Sequence, residues 1–326
     1  MSVAEPLLSV RDLCVAFPAR HGRAPVEAVQ NVSFDIAAGR TIGLVGESGS
    51  GKTTTGRAIL QLQPATSGLV RLLGRELTTM APAELRGMRR HMQFVQQNPY
   101  SSLHPRMTVA QILAEPLTVH RTTPRARIPE RIAELMTLVG MDPADVRRYP
   151  HAFSGGQRQR IVIARALAVN PRFVVCDEPV SALDVRTQAQ IIDLLHDLQA
   201  KLRLSYLFIA HDLAVVRAVS HQVAVMYGGR IVELGDADRV YGRPAHPYTR
   251  NLLEAAPVID PVRQREKLMN PAPEPQFRRR DPRTGPCVFG TDHAAESSPE
   301  WHGAGPDHAV SCQYWPAGAA LPEAQS

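Results

Sequence analysis

The feature that most constrains this fold is a glycine-rich run with the pattern G-x-x-x-x-G-K-[ST]. The run comprises Gly46, Glu47, Ser48, Gly49, Ser50, Gly51, Lys52, Thr53 and Thr54. Glycine adopts positive φ freely, so the backbone can close around an anion with successive N–H groups pointing inward. In such a loop the lysine reaches the outer phosphates and the following hydroxyl binds Mg²⁺. The run therefore predicts a nucleotide phosphate site that uses Lys52 and Thr53.

The residues flanking this run favour a phosphate loop over an ordinary turn of glycine and serine. A short apolar segment at 41–45 precedes it, and a helical pattern at 57–60 follows it. A phosphate loop requires this order, because the loop joins the end of a strand to the start of a helix.

Composition limits the class of protein. The chain has 326 residues, 44% hydrophobic and 21% charged, which is typical of a globular protein with one large core or two domains. Its first residues have neither the basic region nor the apolar core of a signal peptide, and no apolar run approaches the roughly 18 residues of a membrane span. We therefore expect a cytosolic chain that contacts membranes through partners. The net charge of +6 permits nucleic-acid or lipid binding without requiring either.

Polar residues follow three further predicted strands. Gln97 comes after the segment at 92–95, Asp177 and Glu178 end the buried-strand pattern that starts at Phe173, and His211 follows 204–210. Taken singly, a glutamine here is usually a solvated loop residue and a histidine a satisfied structural one. In phosphate-loop enzymes, however, one carboxylate at a strand end holds Mg²⁺ and a second positions the attacking water. Together with the phosphate loop, these residues predict a nucleotide-hydrolysis site.

A helical pattern occupies about residues 108–169 and interrupts the predicted sheet. Within it, Ser154, Gly155, Gly156 and Gln157 precede a helix at 161–168. A serine cap with free N–H groups makes a second anion-binding helix end. Considered alone, the segment is better explained as a helix cap with arginines on its solvated face.

Together, these segments resemble the nucleotide-binding subunits of ATP-binding cassette (ABC) transporters over about residues 7–235. The resemblance assigns Gly46–Thr53 as phosphate loop, Gln97 as Q-loop glutamine, Ser154–Gln157 as signature, Asp177 as Walker B aspartate, Glu178 as catalytic glutamate, Ser181–Asp184 as D-loop, His211 as switch histidine and Phe17 as base-stacking aromatic. Phe153 stands where the family more often has leucine, and a ring can fill that apolar position.

The resemblance implies a mechanism in which two such subunits enclose two ATP molecules. Glu178 would activate water, Lys52 would neutralise phosphate charge and His211 would order the γ-phosphate. Mg²⁺ would be held by Thr53, Asp177 and Gln97. The signature and Asp184 would serve an ATP bound by the opposite subunit.

The resemblance also implies an architecture. The expected fold is an α/β P-loop NTPase (RecA-like) core with an antiparallel β subdomain and a helical insertion at about 100–170. The ATP-binding domain is expected at 1–238 and an oligopeptide-transporter-type extension with a Pro-rich tail at 239–326.

The C-terminal segment indicates which branch of the family the chain resembles. The run at 243–253, together with Arg106 and Tyr149, is similar to the peptide and nickel importers. That branch implies two transmembrane permease subunits, a second, non-identical ATP-binding subunit and an extracytoplasmic solute-binding protein. The chain would then lie peripherally on the cytoplasmic face of the inner membrane. The transported solute is left open among dipeptides, oligopeptides, nickel and other solutes.

Some members of this branch hold an iron–sulfur cluster with four tail cysteines. Here only Cys287 and Cys312 stand in comparable places, and two thiolates are too few for a four-cysteine cluster. We therefore expect no cluster. A mixed site with His293 or His308 is the alternative.

Two other functions are compatible with the same site chemistry. One is a cassette ATPase acting on nucleic acid or ribosomes, but such proteins tend to carry two fused cassettes or long coiled-coil insertions. The other is a regulatory module without hydrolysis, which the presence of Glu178 and His211 disfavours. The sequence therefore favours a transport ATPase with no nucleic-acid partner.

Overall fold

The computed structural model describes residues 5–18, 25–255, 301–305 and 307–311, and two β-sheets organise them. The strands are β1 (Leu8–Phe17), β2 (Val26–Ile36), β3 (Thr41–Val45), β4 (Ser67–Leu72), β5 (Arg75–Glu76), β6 (Met92–Val95), β7 (Phe173–Asp177), β8 (Ser205–Ala210), β9 (Gln222–Tyr227), β10 (Arg230–Asp236), β11 (Trp301–Gly305) and β12 (His308–Ser311). The smaller sheet is antiparallel, in the order β2-β1-β4-β5.

The larger sheet has eight strands in the order β11-β12-β10-β9-β3-β8-β7-β6. The five strands from β9 to β6 run parallel, and the remaining three are antiparallel. Every residue of β3, β7 and β8 is buried, which accounts for their nearly continuous apolar sequences, since parallel strands are covered on both faces. All five parallel strands point their carboxyl ends to the same edge of the sheet.

Helices cover the larger sheet on both faces. They are α1 (Lys52–Ile59), α2 (Pro82–Met88), α3 (Pro99–Ser102), α4 (Val109–Val119), α5 (Ile128–Leu138), α6 (Gly155–Leu167), α7 (Val185–Leu202), α8 (Leu213–Val219), α9 (Ala237–Gly242) and α10 (Pro247–Ala255). Helix α1 packs in one apolar cluster with residues of both sheets. Helices α4 to α8 share a second cluster on the opposite face. Within the described ranges, no helix combines the length and the apolar character needed to cross a bilayer.

The expected fold class is confirmed. The parallel core, the antiparallel sheet and the helical segment from α3 to α6 are all present, and the predicted strands and helices form with small changes of boundary. Strand β1 extends to Phe17, and α4 continues to Val119 with Pro116 inside it.

The hairpin formed by β11 and β12 is an element that the sequence did not predict. It lies in the Pro-rich tail, and β12 pairs with β10 at the edge of the larger sheet. A buried carboxylate joins this hairpin to the start of α10. Glu233 of β10 accepts hydrogen bonds from the N–H groups of Ala245 (2.8 Å) and His246 (2.9 Å), and His308 Nε2 lies 2.7 Å from its Oε1. Glu233 thus connects β10 with the residues just before α10 and with the distant strand β12.

We expect Glu233→Gln to lower the free energy of unfolding by about 1–3 kcal/mol. An amide in place of the carboxylate has one acceptor oxygen, so at least one buried donor loses its partner. Urea unfolding of both proteins measures the difference. The matched control is Glu254→Gln, because Glu254 is exposed on α10. Equal midpoints for Glu233→Gln and the wild type would contradict this role.

Candidate active site

The candidate site lies where four neighbouring parallel strands end. Gly46 follows β3, Asp177 is the last residue of β7, His211 directly follows β8, and Gln97 comes two residues after β6. The crevice outside the carboxyl ends of parallel strands is where open α/β sheets bind ligands. The fold therefore brings together the site residues that were predicted separately at the end of each strand.

The phosphate loop is held between the two sheets. Gly49 and Gly51 have φ of 81° and 104°, a region that residues with a Cβ rarely adopt. A Cβ on Gly51 would overlap the carbonyl oxygen of Ala28 in the smaller sheet. On the other side, the N–H of Gly229, in the turn between β9 and β10, donates to Ser50 O at 3.0 Å. The glycines are thus required by conformation and by close backbone contact.

Lys52 lies over the loop. Its Nζ donates to the carbonyl oxygens of Gly46 (2.7 Å) and Glu47 (2.8 Å), and the residue is 6% exposed. Burial lowers the pKa of Lys52, and the nearby carboxylates of Glu178 and Asp177 oppose that shift. These carbonyl contacts place the ammonium group beside the backbone that would surround a phosphate.

Thr53 and Asp177 form an oxygen pair across the site. The Thr53 hydroxyl donates to Asp177 Oδ1 at 2.9 Å. Burial raises the pKa of Asp177, and the hydrogen bond from Thr53 opposes the rise. A hydroxyl and a carboxylate side by side are the hard oxygen donors that Mg²⁺ prefers, so these residues fit that ion.

Glu178 is the centre of the polar cluster. Its Oε2 accepts from Gln97 Nε2 at 2.7 Å and lies 3.3 Å from His211 Nδ1. Its N–H donates to Ile209 O at 2.8 Å, and its φ is 47°, in the left-handed region. Such a backbone costs a non-glycine residue about 1–2 kcal/mol and is found disproportionately at active sites. With this backbone conformation, the Glu178 carboxylate contacts both Gln97 and His211.

The signature segment starts α6 and packs against the start of α7. Ser154 and Gln157 form a capping box, with Gln157 N donating to Ser154 Oγ (3.3 Å) and Ser154 N to Gln157 Oε1 (3.0 Å). The box leaves the N–H groups of Gly155 and Gly156 available at the helix end. A Cβ on Gly156 would overlap the methyl group of Thr187 in α7. The close packing of the two helices therefore requires this glycine.

The signature does not join the strand-end cluster within this chain. Across the described residues, no hydrogen bond connects Ser154–Gln157 with Gly46–Thr54. Asp184 caps α7 by accepting from Thr187 N (3.0 Å) and Oγ1 (2.7 Å), and these bonds lower its pKa. Phe17, the last residue of β1, is 37% exposed. It pairs with Val26 of β2, the strand that also brings Ala28 to the loop.

The remaining predicted residues belong to the loop, α1 or the tail. Glu47, Ser48 and Gly49 are exposed, and Thr54 lies in the first turn of α1. Cys287, Cys312 and His293 lie outside the described residues. His308 is described, and its ring contacts Glu233. No metal-binding group of histidine, cysteine and carboxylate side chains was found in the described part of the chain.

Two contacts at the site were not anticipated. The Ser181 hydroxyl donates to Glu178 O at 3.1 Å, and the N–H of Glu47 donates to the Tyr248 hydroxyl at 3.0 Å. The sequence resemblance assigns Ser181 only to the D-loop and Tyr248 only to the branch-specific tail. No signal in the sequence reveals that Tyr248 reaches the phosphate loop, 201 residues earlier.

Two protein-family models match the chain. One, described as ABC transporter, matches residues 29–181. The other, described as Oligopeptide/dipeptide transporter, C-terminal region, matches residues 232–292, and together they cover well over half of the sequence. The chain belongs to the ABC transporter family. The resemblance drawn from the motifs is therefore confirmed, including its oligopeptide branch.

Curated relatives share about half of their aligned residues with this cassette. The "Glutathione import ATP-binding protein GsiA" of Pectobacterium atrosepticum is 50% identical over 294 residues, covering 87% of this chain and 47% of the relative. The protein of the same name from Escherichia coli (strain K12) is 52% identical over 266 residues, covering 80% of this chain and 43% of the relative. The chain thus spans less than half the length of these relatives.

Solved structures share the cassette fold. The ATP-binding cassette MJ0796, in a dimeric post-hydrolysis state bound to ADP and Pi, is 27% identical, with a TM-score of 0.63. The match covers 71% of this chain and 98% of that one. The structure of cbiO1 from Clostridium perfringens has the same fold, with 22% identity and a TM-score of 0.64. That match covers 72% of this chain and 90% of the cbiO1 chain.

Proposed function

We propose that this cassette hydrolyses ATP to power the import of peptides or related small solutes through an ABC transporter. The observation that carries the proposal is the convergence of Gln97 and His211 on one oxygen of Glu178, at the strand end where Asp177 meets Thr53. A carboxylate with two polar neighbours, beside a phosphate loop, is suited to orient a water molecule for attack on a terminal phosphate.

Each strand-end residue has a distinct role in this proposal. Glu178 accepts the proton of the attacking water, and Gln97 and His211 orient its carboxylate. Lys52 moves from the loop carbonyls to the phosphate oxygens, where its charge offsets the charge that develops during the reaction. His211 also contacts the γ-phosphate, and Phe17 stacks on the base. The backbone N–H groups of the phosphate loop bind the remaining phosphate oxygens.

We further propose that Thr53 and Asp177, with Gln97, hold a magnesium ion. When bound, Mg²⁺ supplies positive charge beside the phosphate oxygens. The hydroxyl and carboxylate oxygens are already adjacent in the structure, which supports the assignment. The burial that raises the pKa of Asp177 opposes its ionisation, so a nearby divalent charge would favour the charged carboxylate.

The signature is proposed to act on a nucleotide held by a second cassette. The N–H groups of Gly155 and Gly156 at the start of α6 suit an anion, and among the described residues no hydrogen bond joins them to the phosphate loop of their own chain. The second subunit is proposed to be a different polypeptide, as is usual in the oligopeptide branch. Two permeases and an extracytoplasmic binding protein complete the proposed transporter, and the cassette would lie on the cytoplasmic face of the inner membrane.

The proposed solutes are small peptides and peptide-like molecules, including glutathione. Two findings support this class: the oligopeptide/dipeptide family match and the glutathione-import names of the relatives. Specificity in the proposed assembly belongs to the binding protein and the permeases.

Reconstitution of the assembly in lipid vesicles tests the proposal. The isolated cassette should hydrolyse ATP slowly, because the γ-phosphate faces water until an opposing helix end covers it. Addition of the second ATPase and the permeases should raise the rate, and labelled glutathione should accumulate only with the binding protein and ATP. A chain that co-purifies with RNA or DNA and is stimulated by it, but not by the permeases, would contradict the proposal.

We expect Lys52→Ala to raise the dissociation constant for ATP by about 10- to 100-fold. The change removes charge-assisted hydrogen bonds to phosphate oxygens, which are stronger than neutral ones. Titration with a fluorescent ATP analogue gives the constant. Lys201→Ala is the matched control, since Lys201 is exposed in the last turn of α7. Equal constants for Lys52→Ala and Lys201→Ala would show that Lys52 does not bind phosphate.

A further inference from the structure

The C-terminal extension contacts the phosphate loop through one tyrosine. Tyr248 lies in the first turn of α10 and is 3% exposed. Its hydroxyl accepts the N–H of Glu47 at 3.0 Å, and Glu47 is the second residue of the loop. The N–H of Glu47 therefore points to the Tyr248 hydroxyl. This hydrogen bond ties the start of the loop to α10.

The ring of Tyr248 is fixed independently of its hydroxyl. It meets the ring of Tyr227 edge to face, with centroids 4.5 Å apart and planes at 65°. Such pairs contribute about 0.5–1.5 kcal/mol beyond the area that they bury. Tyr227 ends β9, and Gly229, two residues later, donates to Ser50 O. The end of β9 is thus linked to the loop in two ways, through the ring of Tyr248 and through the N–H of Gly229.

The backbone that carries Tyr248 is fixed as well. Tyr248 N donates to His246 Nδ1 at 3.1 Å, and His246 N donates to the buried carboxylate of Glu233. That carboxylate also contacts His308 of β12. A continuous set of hydrogen bonds therefore extends from the terminal hairpin, through Glu233 and α10, to Glu47.

We propose that Tyr248 is a positioning residue of the phosphate loop, and that its hydroxyl keeps Glu47 and the residues after it in the conformation that accepts a nucleotide. The proposal rests on the proposed function of the loop as an ATP site. The glycines give the free loop many accessible conformations, and binding must restrict them. An anchor that acts before the nucleotide arrives reduces that cost, so its removal weakens binding.

Tyr248→Phe removes the hydroxyl and keeps the ring on Tyr227. We expect the dissociation constant for a fluorescent ATP analogue to rise about three- to tenfold, as for the loss of one hydrogen bond. Amide hydrogen exchange at Glu47 in the nucleotide-free chain should become faster, because the N–H loses its acceptor. Turnover at saturating ATP in the assembled transporter should change much less than the KM, since Tyr248 lies outside the Glu178 cluster.

Tyr206→Phe is the matched control. Tyr206 is 2% exposed, and its hydroxyl donates to Leu195 O at 3.2 Å, away from the loop. It should lose a comparable amount of stability and keep the wild-type dissociation constant and Glu47 exchange rate. The same exchange rate or the same constant in Tyr248→Phe as in the wild type would overturn the proposal. A wild-type chain that did not bind the analogue would refute the ATP site instead, and faster exchange at Glu47 would still support the contact.

Discussion

Glu178→Gln is expected to lower ATP turnover by the assembled transporter on the order of a hundredfold or more, and to leave nucleotide binding intact. The amide has nearly the shape of the carboxylate but cannot accept a proton from water. The oxygen of the new amide can still accept the hydrogen bond from Gln97 Nε2. The Ile209 contact uses the backbone of Glu178 and is unaffected by the change. Binding and hydrolysis should therefore separate.

Three measurements check this result. Titration with a fluorescent ATP analogue reports binding, and phosphate release by the reconstituted complex reports turnover. The complex should also stay in the nucleotide-bound, closed state, which cross-linking between the two ATPase subunits can detect. Glu134→Gln, an exposed glutamate paired with Arg131 on α5, is the control and should hydrolyse ATP at the wild-type rate. Turnover within a few-fold of wild type for Glu178→Gln would remove Glu178 from the catalytic step.

Gly155→Asp is expected to abolish ATP turnover in the assembled complex while the isolated chain binds nucleotide normally. In the proposed assembly, Gly155 faces a phosphate bound by the other subunit, and a carboxylate there would repel it. In the part of the chain that the structure describes, a Cβ on Gly155 would meet Leu183, and no hydrogen bond joins this segment to the phosphate loop. The isolated chain should therefore keep its own affinity for ATP.

A second variant separates the effect of charge from that of size. Gly155→Ala adds only a Cβ, which would lie 3.3 Å from Cδ2 of Leu183, the end of a side chain that can shift. It should retain much of the turnover that Gly155→Asp loses. If Gly155→Asp weakened binding by the isolated chain and spared the complex, the signature would serve its own nucleotide, and the proposed exchange between subunits would be wrong.

The parts of the site that could be predicted from sequence are those encoded locally. The phosphate loop, the carboxylates after β7 and the histidine after β8 each follow an apolar run that marks a buried strand. Parallel strands then bring their ends together without any further information. The alignment of Gln97 with Glu178 required only that β6 pair with β7.

The parts that could not be predicted depend on contacts between distant segments. Strand β5 has two residues, too few for an alternating pattern. The sequence of β11, Trp-His-Gly-Ala-Gly, contains two glycines, which are depleted in strands, and its hairpin is stabilised by pairing with β10. The hydrogen bond from Glu47 to Tyr248 depends on how α10 packs. The left-handed backbone of Glu178 likewise could not be predicted, because glutamate seldom adopts that conformation.

Because β12 pairs with β10, the larger sheet cannot be completed until the C-terminal part of the chain has been synthesised. Seventy-five positions separate Glu233 from His308. At ribosomal rates, roughly 4 to 15 seconds pass between their emergence. In that interval β10 is an edge strand with unpaired backbone groups, and such edges promote association between nascent chains. The Glu233 carboxylate, still without His308, would place a charge near that edge and discourage pairing with another chain. The segment that later buries this charge also closes the sheet.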